Sequence, residues 1–175
     1  NAETIIASAK YPLQRTLAEE FGADIVVGPS ELKRAVRQVT GCRMIGNSLS
    51  GGSDVTIDAV GNASSIKTSL DITRPRGRVV MLGMPGVTKV DLTPLWHREI
   101  EMVGSYTYGT EELSDGETTS SYELAFDLVR EKKLEKLVTD TYQIARYQDA
   151  IRHAADAGSL GSVKVVFDMR NEKRR

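Results

Sequence analysis

Two runs of β-branched and other apolar residues, separated by a helical segment, constrain the fold of this 175-residue chain more than any other feature. The first run covers residues 54–61, the second covers residues 77–83, and the helical segment between them covers residues 63–73. Near-continuous apolar strands joined through a helix are typical of parallel strands buried on both faces. We therefore expect a parallel sheet, which a third strand over residues 101–107 extends.

Both runs end at a glycine, and this marks a candidate ligand-binding edge. Glycine lets the backbone turn sharply and lets a flat ligand approach closely. Ligands of open parallel sheets bind outside the carboxyl ends of the strands. The residues expected at that edge are Val60, Gly61, Leu82, Gly83 and Met84.

The rest of the chain alternates between strand and helix, which is the α/β pattern. A loop carries Pro94–Trp96, residues 110–119 read as an exposed acidic loop, and Ser30 is expected to cap the second helix. Apolar faces are expected on the last two helices, through Tyr122, Ala125, Phe126 and Val129 and through Tyr147, Ala150, Ile151 and Ala154. The remaining predicted strands are 4–9, 24–27, 137–142 and 162–167, and the helices are 12–22, 31–40, 121–133 and 146–157.

Composition excludes several classes of function. The net charge is −1, so no strong field favours nucleic acid or an anionic membrane, and no run reaches the roughly 18 apolar residues of a membrane span. The single cysteine, Cys42, rules out an internal disulfide and suggests a cytoplasmic location. The basic end, residues 170–175, is expected to be a solvated tail.

The glycine- and serine-rich segment 46–53 is interpreted as a plain connector. A phosphate-binding loop needs a lysine and a hydroxyl residue after its last glycine and opens a helix, whereas here Asp54 and a strand follow. The segment does not fit a Gly-x-Ser-x-Gly nucleophile turn either, because Ser50 stands where the second glycine belongs.

Three pieces of the chain together resemble the zinc-type alcohol dehydrogenases of the medium-chain dehydrogenase/reductase family. They are Asp58-Ala-Val-Gly61, Gly77-Arg-Val-Val-Met-Leu-Gly83 and Glu101-Met-Val-Gly-Ser-Tyr106, and the resemblance extends from Ile5 to about Met169. It implies an α/β fold with a partial Rossmann-like, doubly wound parallel sheet missing its first strand-helix unit. Residues 1–135 would form an incomplete nucleotide-binding domain, and residues 136–175 a strand-helix-strand that returns to the substrate domain.

Two features of the family are missing from this sequence. The Gly-x-Gly-x-x-Gly loop, which holds the pyrophosphate, would lie just before Ile5. Catalytic zinc needs three protein ligands, but Cys42, His97 and His153 are far apart and lack ligand spacing. The resemblance thus implies the C-terminal part of a dehydrogenase, with zinc held only in a missing N-terminal part. We expect the parent to transfer a hydride between a nicotinamide cofactor and an alcohol or carbonyl, with polyol and threonine dehydrogenases as nearest relatives, and the fragment alone to be inactive.

The resemblance also assigns cofactor contacts. NAD-using members carry an acidic residue where this chain has Ala9, and Lys10 could pair with a 2′-phosphate, which favours NADP over NAD. The contacts implied at the adenosine side, the nicotinamide side and the pyrophosphate are Ser8, Lys10, Tyr11, Val60, Gly61, Leu82, Gly83, Met84, Ser105, Thr107 and Lys164. The simpler alternatives are sheet core for Val60 and Leu82, and ordinary surface lysines for Lys10 and Lys164.

Four further residues could carry chemistry but have simpler interpretations. Asp58 interrupts an apolar run, so it needs partners, and a structural role is favoured over a ribose contact. The spacing places no nucleophile or carboxylate with His97, which is interpreted as a loop residue near a subunit contact. His153 is expected to be partly exposed on the last helix, and Cys42 to be an inert packed thiol.

Alternative functions remain open on the sequence. One is a non-catalytic nucleotide-binding or interaction module, and another is an S-adenosylmethionine methyltransferase, which the order of strands disfavours. Without a substrate domain, the strands near residues 137–142 and 163–167 would expose their edges or pair with another copy. We therefore expect a homodimer or higher oligomer, possibly by strand exchange. The expected partners are a nicotinamide cofactor and a small alcohol or carbonyl, without nucleic acid or membrane.

Overall fold

The computed structural model of the chain describes residues 2–170, and the predicted basic tail at 171–175 lies outside the described residues. The residues divide into two compact units. We call Val27–Thr107 the central unit, and the unit within Asn1–Val26 and Tyr108–Arg175 the terminal unit. Their limits differ from the domain boundary expected after residue 135, which stays a prediction about the parent fold.

The chain begins with a short strand-helix-strand. Its elements are β1 (Ile6–Ser8), α1 (Pro12–Glu20) and β2 (Ile25–Val27), and β1 and β2 form a two-stranded sheet. Pro12 opens α1 as predicted, because a proline at the first helical position loses no intrahelical hydrogen bond. Gly22 follows the helix with a φ of 97°, a conformation that favours glycine.

The central unit contains the predicted parallel sheet. Its elements are α2 (Leu32–Thr40), β3 (Met44–Ile45), β4 (Ser48–Leu49), β5 (Ser53–Asp58), α3 (Ala63–Ile72), β6 (Thr73–Met81), α4 (Thr93–His97) and β7 (Glu101–Gly104). Strands β5, β6 and β7 are adjacent in that order and parallel, with Asp58 opposite Met81 and Met81 opposite Gly104. The α/β class and the partial Rossmann-like arrangement are confirmed.

Three local predictions in the central unit are wrong. The expected connector over 46–53 contains part of a tight antiparallel hairpin, β3–β4, whose Leu49 is only 2% exposed. The expected loop around Pro94 is the short helix α4. Ser30 does not cap α2: the residue before the helix is Glu31, whose carboxylate instead accepts from the backbone N–H of Gly28. Each difference depends on contacts that short local patterns do not encode.

Within the central unit, the described residues cover one face of the parallel sheet. On that face α3 packs its apolar side chains onto the sheet, and the buried cluster comprises Ile66, Leu70, Val79 and Ile100. Side chains alternate along a strand, so Val55, Ile57 and Val103 point to the other face, where they are 53%, 63% and 40% exposed. The prediction that these strands are buried on both faces is therefore wrong for this chain.

The second part of the terminal unit begins with a hairpin and a helix. The strands β8 (Thr110–Glu112) and β9 (Thr118–Ser120) pair antiparallel, so the expected loop is a hairpin, although it is exposed as predicted. The helix α5 (Ser121–Lys132) starts with reciprocal hydrogen bonds between Ser120 and Glu123. It buries none of its residues, and Phe126 is 60% exposed, so no element among residues 2–170 covers its predicted apolar face.

The unit ends with β10 (Val138–Tyr142), α6 (Tyr147–Ala155) and β11 (Lys164–Phe167). Strands β10 and β11 pair with each other in parallel and form their own two-stranded sheet. The predicted apolar face of α6 is only partly realised, because Ala150 is buried while Ile151 is 61% exposed. The expectation of an oligomer stays a prediction.

Candidate functional site

The carboxyl ends of the three parallel strands meet at one edge of the central unit. The segments that leave β5, β6 and β7 there carry seven of the residues predicted to meet the cofactor. The aligned strand ends explain this, because parallel strands in register release their loops on the same side. These residues are Val60, Gly61, Leu82, Gly83, Met84, Ser105 and Thr107.

Asp58 fixes the turn that follows β5. Its side chain is buried, and one carboxylate oxygen accepts hydrogen bonds from the backbone N–H groups of Val60 (2.8 Å) and Gly61 (3.0 Å). The other oxygen accepts from the hydroxyl of Ser65 (2.9 Å) in the first turn of α3. These bonds satisfy the carboxylate and hold the turn against the helix, which fits the predicted structural role.

The turns after β5 and β6 pack backbone against backbone. A Cβ atom on Gly83 would lie 2.4 Å from the nitrogen of Gly61, and one on Gly61 would lie 2.8 Å from the carbonyl carbon of Gly83. The Asp58 carbonyl also accepts hydrogen bonds from the backbone N–H groups of Leu82 (2.9 Å) and Gly83 (2.8 Å). Two glycines are therefore needed for the turns to approach this closely.

The apolar side chains at this edge face solvent. Val60 is 67% exposed, Leu82 is 53% exposed and Met84 is 85% exposed. The alternative interpretation of Val60 and Leu82 as sheet core is therefore wrong in this structure. Exposed apolar groups beside a flat backbone surface form a suitable floor for a planar ring.

Ser105 and Thr107 continue the edge beyond β7. The N–H of Ser105 donates to the carbonyl of Met81 (2.9 Å), so its main chain stays attached to β6. Thr107 has a φ of 54°, a left-handed conformation that is unusual for a β-branched residue. Both side chains are exposed.

The predicted adenosine-side residues lie at the carboxyl end of β1 in the terminal unit. Ser8 and Lys10 are exposed, and the Lys10 ammonium lies 5.2 Å from the centre of the Tyr11 ring. The Arg15 side chain donates from Nε to the carbonyl of Ala9 (2.9 Å) and from Nη2 to that of Lys10 (3.3 Å). Sequence reasoning missed Arg15. This residue lies near the start of α1, and side chains in a helix tilt toward its N-terminus, which here is the end next to β1.

Two further residues predicted to contact the cofactor, Tyr11 and Lys164, lie in the terminal unit. The Tyr11 ring lies against the backbone of Gly158, where an added Cβ atom would be 2.0 Å from its Cε2 atom. Lys164 opens β11 opposite Val138, with its side chain exposed, as an ordinary surface lysine would be. A cofactor role for either residue stays a prediction.

Cys42, His97 and His153, the residues considered as zinc ligands, contact other side chains. The Cys42 sulfur accepts from the Thr40 hydroxyl (3.2 Å), and the His97 ring lies edge-on to its neighbour Trp96. His153 is hydrogen-bonded on both ring nitrogens. Within residues 2–170 there is no group of three or more histidine, cysteine or acidic side chains that could hold a metal ion. None of the described helices has the length and apolar character needed to span a membrane.

Comparison with known proteins places these features in a family. The zinc-binding dehydrogenase model matches residues 1–121. L-idonate 5-dehydrogenase (NAD(P)(+)) of Escherichia coli is 27% identical over 95% of this chain and 44% of its own length, and sorbitol dehydrogenase of Arabidopsis thaliana is 27% identical over 87% and 40%. The chain thus spans about two fifths of the curated relatives it matches.

Solved structures share the fold. The E. coli L-idonate 5-dehydrogenase structure matches with a TM-score of 0.71 and 24% identity, covering 95% of this chain and 43% of that chain. A protein described as a zinc-binding dehydrogenase from Sinorhizobium meliloti, bound to NADP, matches with a TM-score of 0.63 and 24% identity, covering 96% and 46%. With the family model covering more than half of its residues, this chain belongs to the zinc-binding dehydrogenases.

Proposed function

We propose that this chain forms part of the cofactor-binding region of an oxidoreductase that transfers a hydride between NAD(P) and an alcohol or carbonyl compound. The observation that carries the proposal is the strand-end edge at which Gly61 and Gly83 pack together beside exposed apolar side chains. The names of the relatives, idonate and sorbitol dehydrogenases, support a polyol-type substrate for the whole protein.

The residues at this edge would position the cofactor. The close Gly61–Gly83 contact leaves the backbone bare, so a planar nicotinamide could lie against it. Val60, Leu82 and Met84 would cover the ring and exclude water from it. The bound cofactor supplies the hydride chemistry, and the chain supplies orientation.

We propose a preference for NADP over NAD. The turn Ser8-Ala9-Lys10-Tyr11 carries no carboxylate that would repel a 2′-phosphate, and Lys10 projects an exposed ammonium there. Arg15 adds a second cation at the same strand end, although two of its donors already hold the carbonyls of Ala9 and Lys10. Two cations without a nearby acid in this turn favour a doubly charged phosphate.

The side chains of residues 2–170 do not fit a catalytic zinc. A catalytic zinc site needs three converging ligands, and the described residues hold no such group. We propose that residues outside this chain supply the zinc ligands, and that the chain alone does not turn over an alcohol. The second candidate function is a non-catalytic nucleotide-binding module. The lack of converging zinc ligands among the described residues favours it as well. A full-length protein with zinc-dependent alcohol oxidation would argue against the module.

Fluorescence titration of NADPH and NADH against the purified chain tests cofactor binding. We expect saturable binding that is tighter for NADPH, and Lys10→Gln should weaken NADPH by about 10-fold while leaving NADH nearly unchanged. Lys132→Gln, an exposed lysine on α5, is the matched control. Absence of binding by either cofactor to a folded sample would overturn a cofactor site in this chain, and equal effects of Lys10→Gln on both cofactors would overturn only the NADP preference.

A further inference from the structure

A polar cluster joins β10, α6 and the start of β11, and none of its members belongs to the predicted cofactor set. The Tyr142 hydroxyl lies 2.8 Å from Nδ1 of His153, and Nε2 of His153 lies 2.7 Å from the Ser162 hydroxyl. Ser162 is only 5% exposed and the His153 side chain only 18%. His153 thus links one residue of β10 to one that precedes β11.

Asp140 completes the cluster with an unmet hydrogen-bonding need. Its Oδ2 atom lies 3.8 Å from Nε2 of His153 and is buried without a hydrogen-bond partner among the described groups. The nearby hydroxyls of Ser162 and Thr139, with a smaller contribution from His153, hold the pKa of Asp140 below its usual value. The carboxylate is therefore charged at neutral pH, and its Oδ2 atom can interact with a further positive charge.

Both ring nitrogens of His153 face hydroxyl groups, and each hydroxyl can donate or accept a hydrogen bond. Either neutral tautomer of the imidazole therefore satisfies the contacts with Tyr142 and Ser162. When both nitrogens carry hydrogen, the two hydroxyls accept and no heavy atom has to move. The protonated ring also places a positive charge 3.8 Å from Oδ2 of Asp140.

Other charged groups on these elements are already engaged or exposed. Arg146 lies 5.4 Å from the centre of the Tyr142 ring and pairs with Asp149 (3.0 Å), which also pairs with Arg152 (3.4 Å). Lys164 opens β11 with an exposed side chain, and Asp156 follows α6 in an exposed turn. Asp140 is therefore the carboxylate that can form an ion pair with His153 when His153 is protonated.

We propose that Tyr142, His153, Ser162 and Asp140 form a proton-operated latch that holds α6 on the β10–β11 pair more tightly when His153 is charged. A two-stranded sheet is marginal by itself, and Ala150 is the one buried residue of α6. A polar link of this kind therefore has a large share in holding the three elements together. The latch regulates the terminal unit and does not depend on cofactor binding.

Amide hydrogen exchange on the 175-residue chain tests the latch. At pH of about 5.5 and about 8, on either side of the ordinary titration range of imidazole, protection of the β10 and β11 amides is compared after correction for intrinsic rates. We expect about 5- to 10-fold greater protection at the lower pH. This difference should disappear in His153→Gln and in Asp140→Asn, and persist in His97→Gln, which changes the other histidine of the sequence.

Two results would overturn the latch. One is equal protection at both pH values in the unmodified chain, and the other is an unchanged pH dependence in His153→Gln. If that variant does not fold, the nearly isosteric Asp140→Asn decides, because it keeps the shape and removes the charge.

Discussion

Gly83 approaches Gly61 so closely that a Cβ atom on Gly83 would lie 2.4 Å from the backbone nitrogen of Gly61 and 2.6 Å from the carbonyl carbon of Val60. All the atoms involved are backbone, so no side-chain rotation can relieve such a clash. The two turns that form the candidate cofactor edge can hold their positions only while both residues lack side chains.

Gly83→Ala should therefore destabilise the chain by about 2–3 kcal/mol, because the turns after β5 and β6 must separate. Urea unfolding followed by circular dichroism measures the change. Gly86→Ala is the control in the same loop, since an added Cβ there meets nothing within 4 Å, and it should change stability by less than about 0.5 kcal/mol. Equal stability of the two variants would contradict the backbone contact.

Asp58→Asn should cost about 2–3 kcal/mol of unfolding free energy, because a buried carboxylate that accepts from two N–H groups and a hydroxyl is replaced by a weaker acceptor. The control is Asp54→Asn, whose exposed ion pair with Arg74 should be worth less than about 1 kcal/mol. The same unfolding assay compares them, and a smaller loss for Asp58→Asn than for Asp54→Asn would refute its structural role.

Arg170 should control the titration of Asp168 near the end of the described chain. Hydrogen bonds from the Arg170 side chain and backbone lower the pKa of Asp168 from 3.8 to about 2. A lowered carboxyl pKa stabilises the folded chain at pH above 3.8, and this contribution is lost as the pH falls toward 2.

Carbon NMR of the Asp168 carboxyl group tests this relationship. Arg170→Gln should move the midpoint back toward 3.8, whereas Arg152→Gln, which removes a partner of Asp149, should leave it near 2. A midpoint that stays near 2 without Arg170 would show that another group holds the carboxylate.

The apolar face of α5 supports association of the chain. None of the helix residues is buried, and Phe126 is 60% exposed. Apolar surface of this kind favours burial against another molecule.

We expect sedimentation equilibrium to detect a homodimer or higher oligomer. Phe126→Glu should weaken association by about 10-fold or more, because it places a charge in an apolar contact, and Glu131→Gln on the same helix is the matched control. A monomer at all accessible concentrations would contradict the oligomer, and an oligomer insensitive to Phe126→Glu would place the contact elsewhere.

The longer helices and strands followed in order from local patterns, whereas the β3–β4 and β8–β9 hairpins and α4 did not. Pro12 and Gly22 bracket α1, and the apolar runs ending at Gly61 and Gly83 predict β5 and β6 and the direction of their loops. The candidate edge could be predicted for the same reason, since parallel strands in register bring their ends together. Its detailed contacts could not, because the hydrogen bonds of Asp58 depend on the turn geometry and not on the strand pattern.

The burial of individual side chains could not be predicted from the sequence. The run containing Val55 and Ile57 has the composition of a strand buried on both faces, yet both side chains are exposed, because burial depends on which elements cover the sheet. Phe126 on α5 differs from its prediction for the same reason. The His153 cluster gave no sequence signal, since its members come from β10, α6 and the segment before β11, which only folding brings together.

The sequence by itself determined the α/β class, the parallel β5–β7 unit and the glycines that allow the edge to form, because strand and helix periodicity and glycine conformation are properties of neighbouring residues. Only the tertiary structure decided that Val55 and Ile57 are exposed, that Arg15 holds the end of β1, and that His153 lies beside Asp140. These depend on distances between residues remote in sequence, which local patterns do not specify.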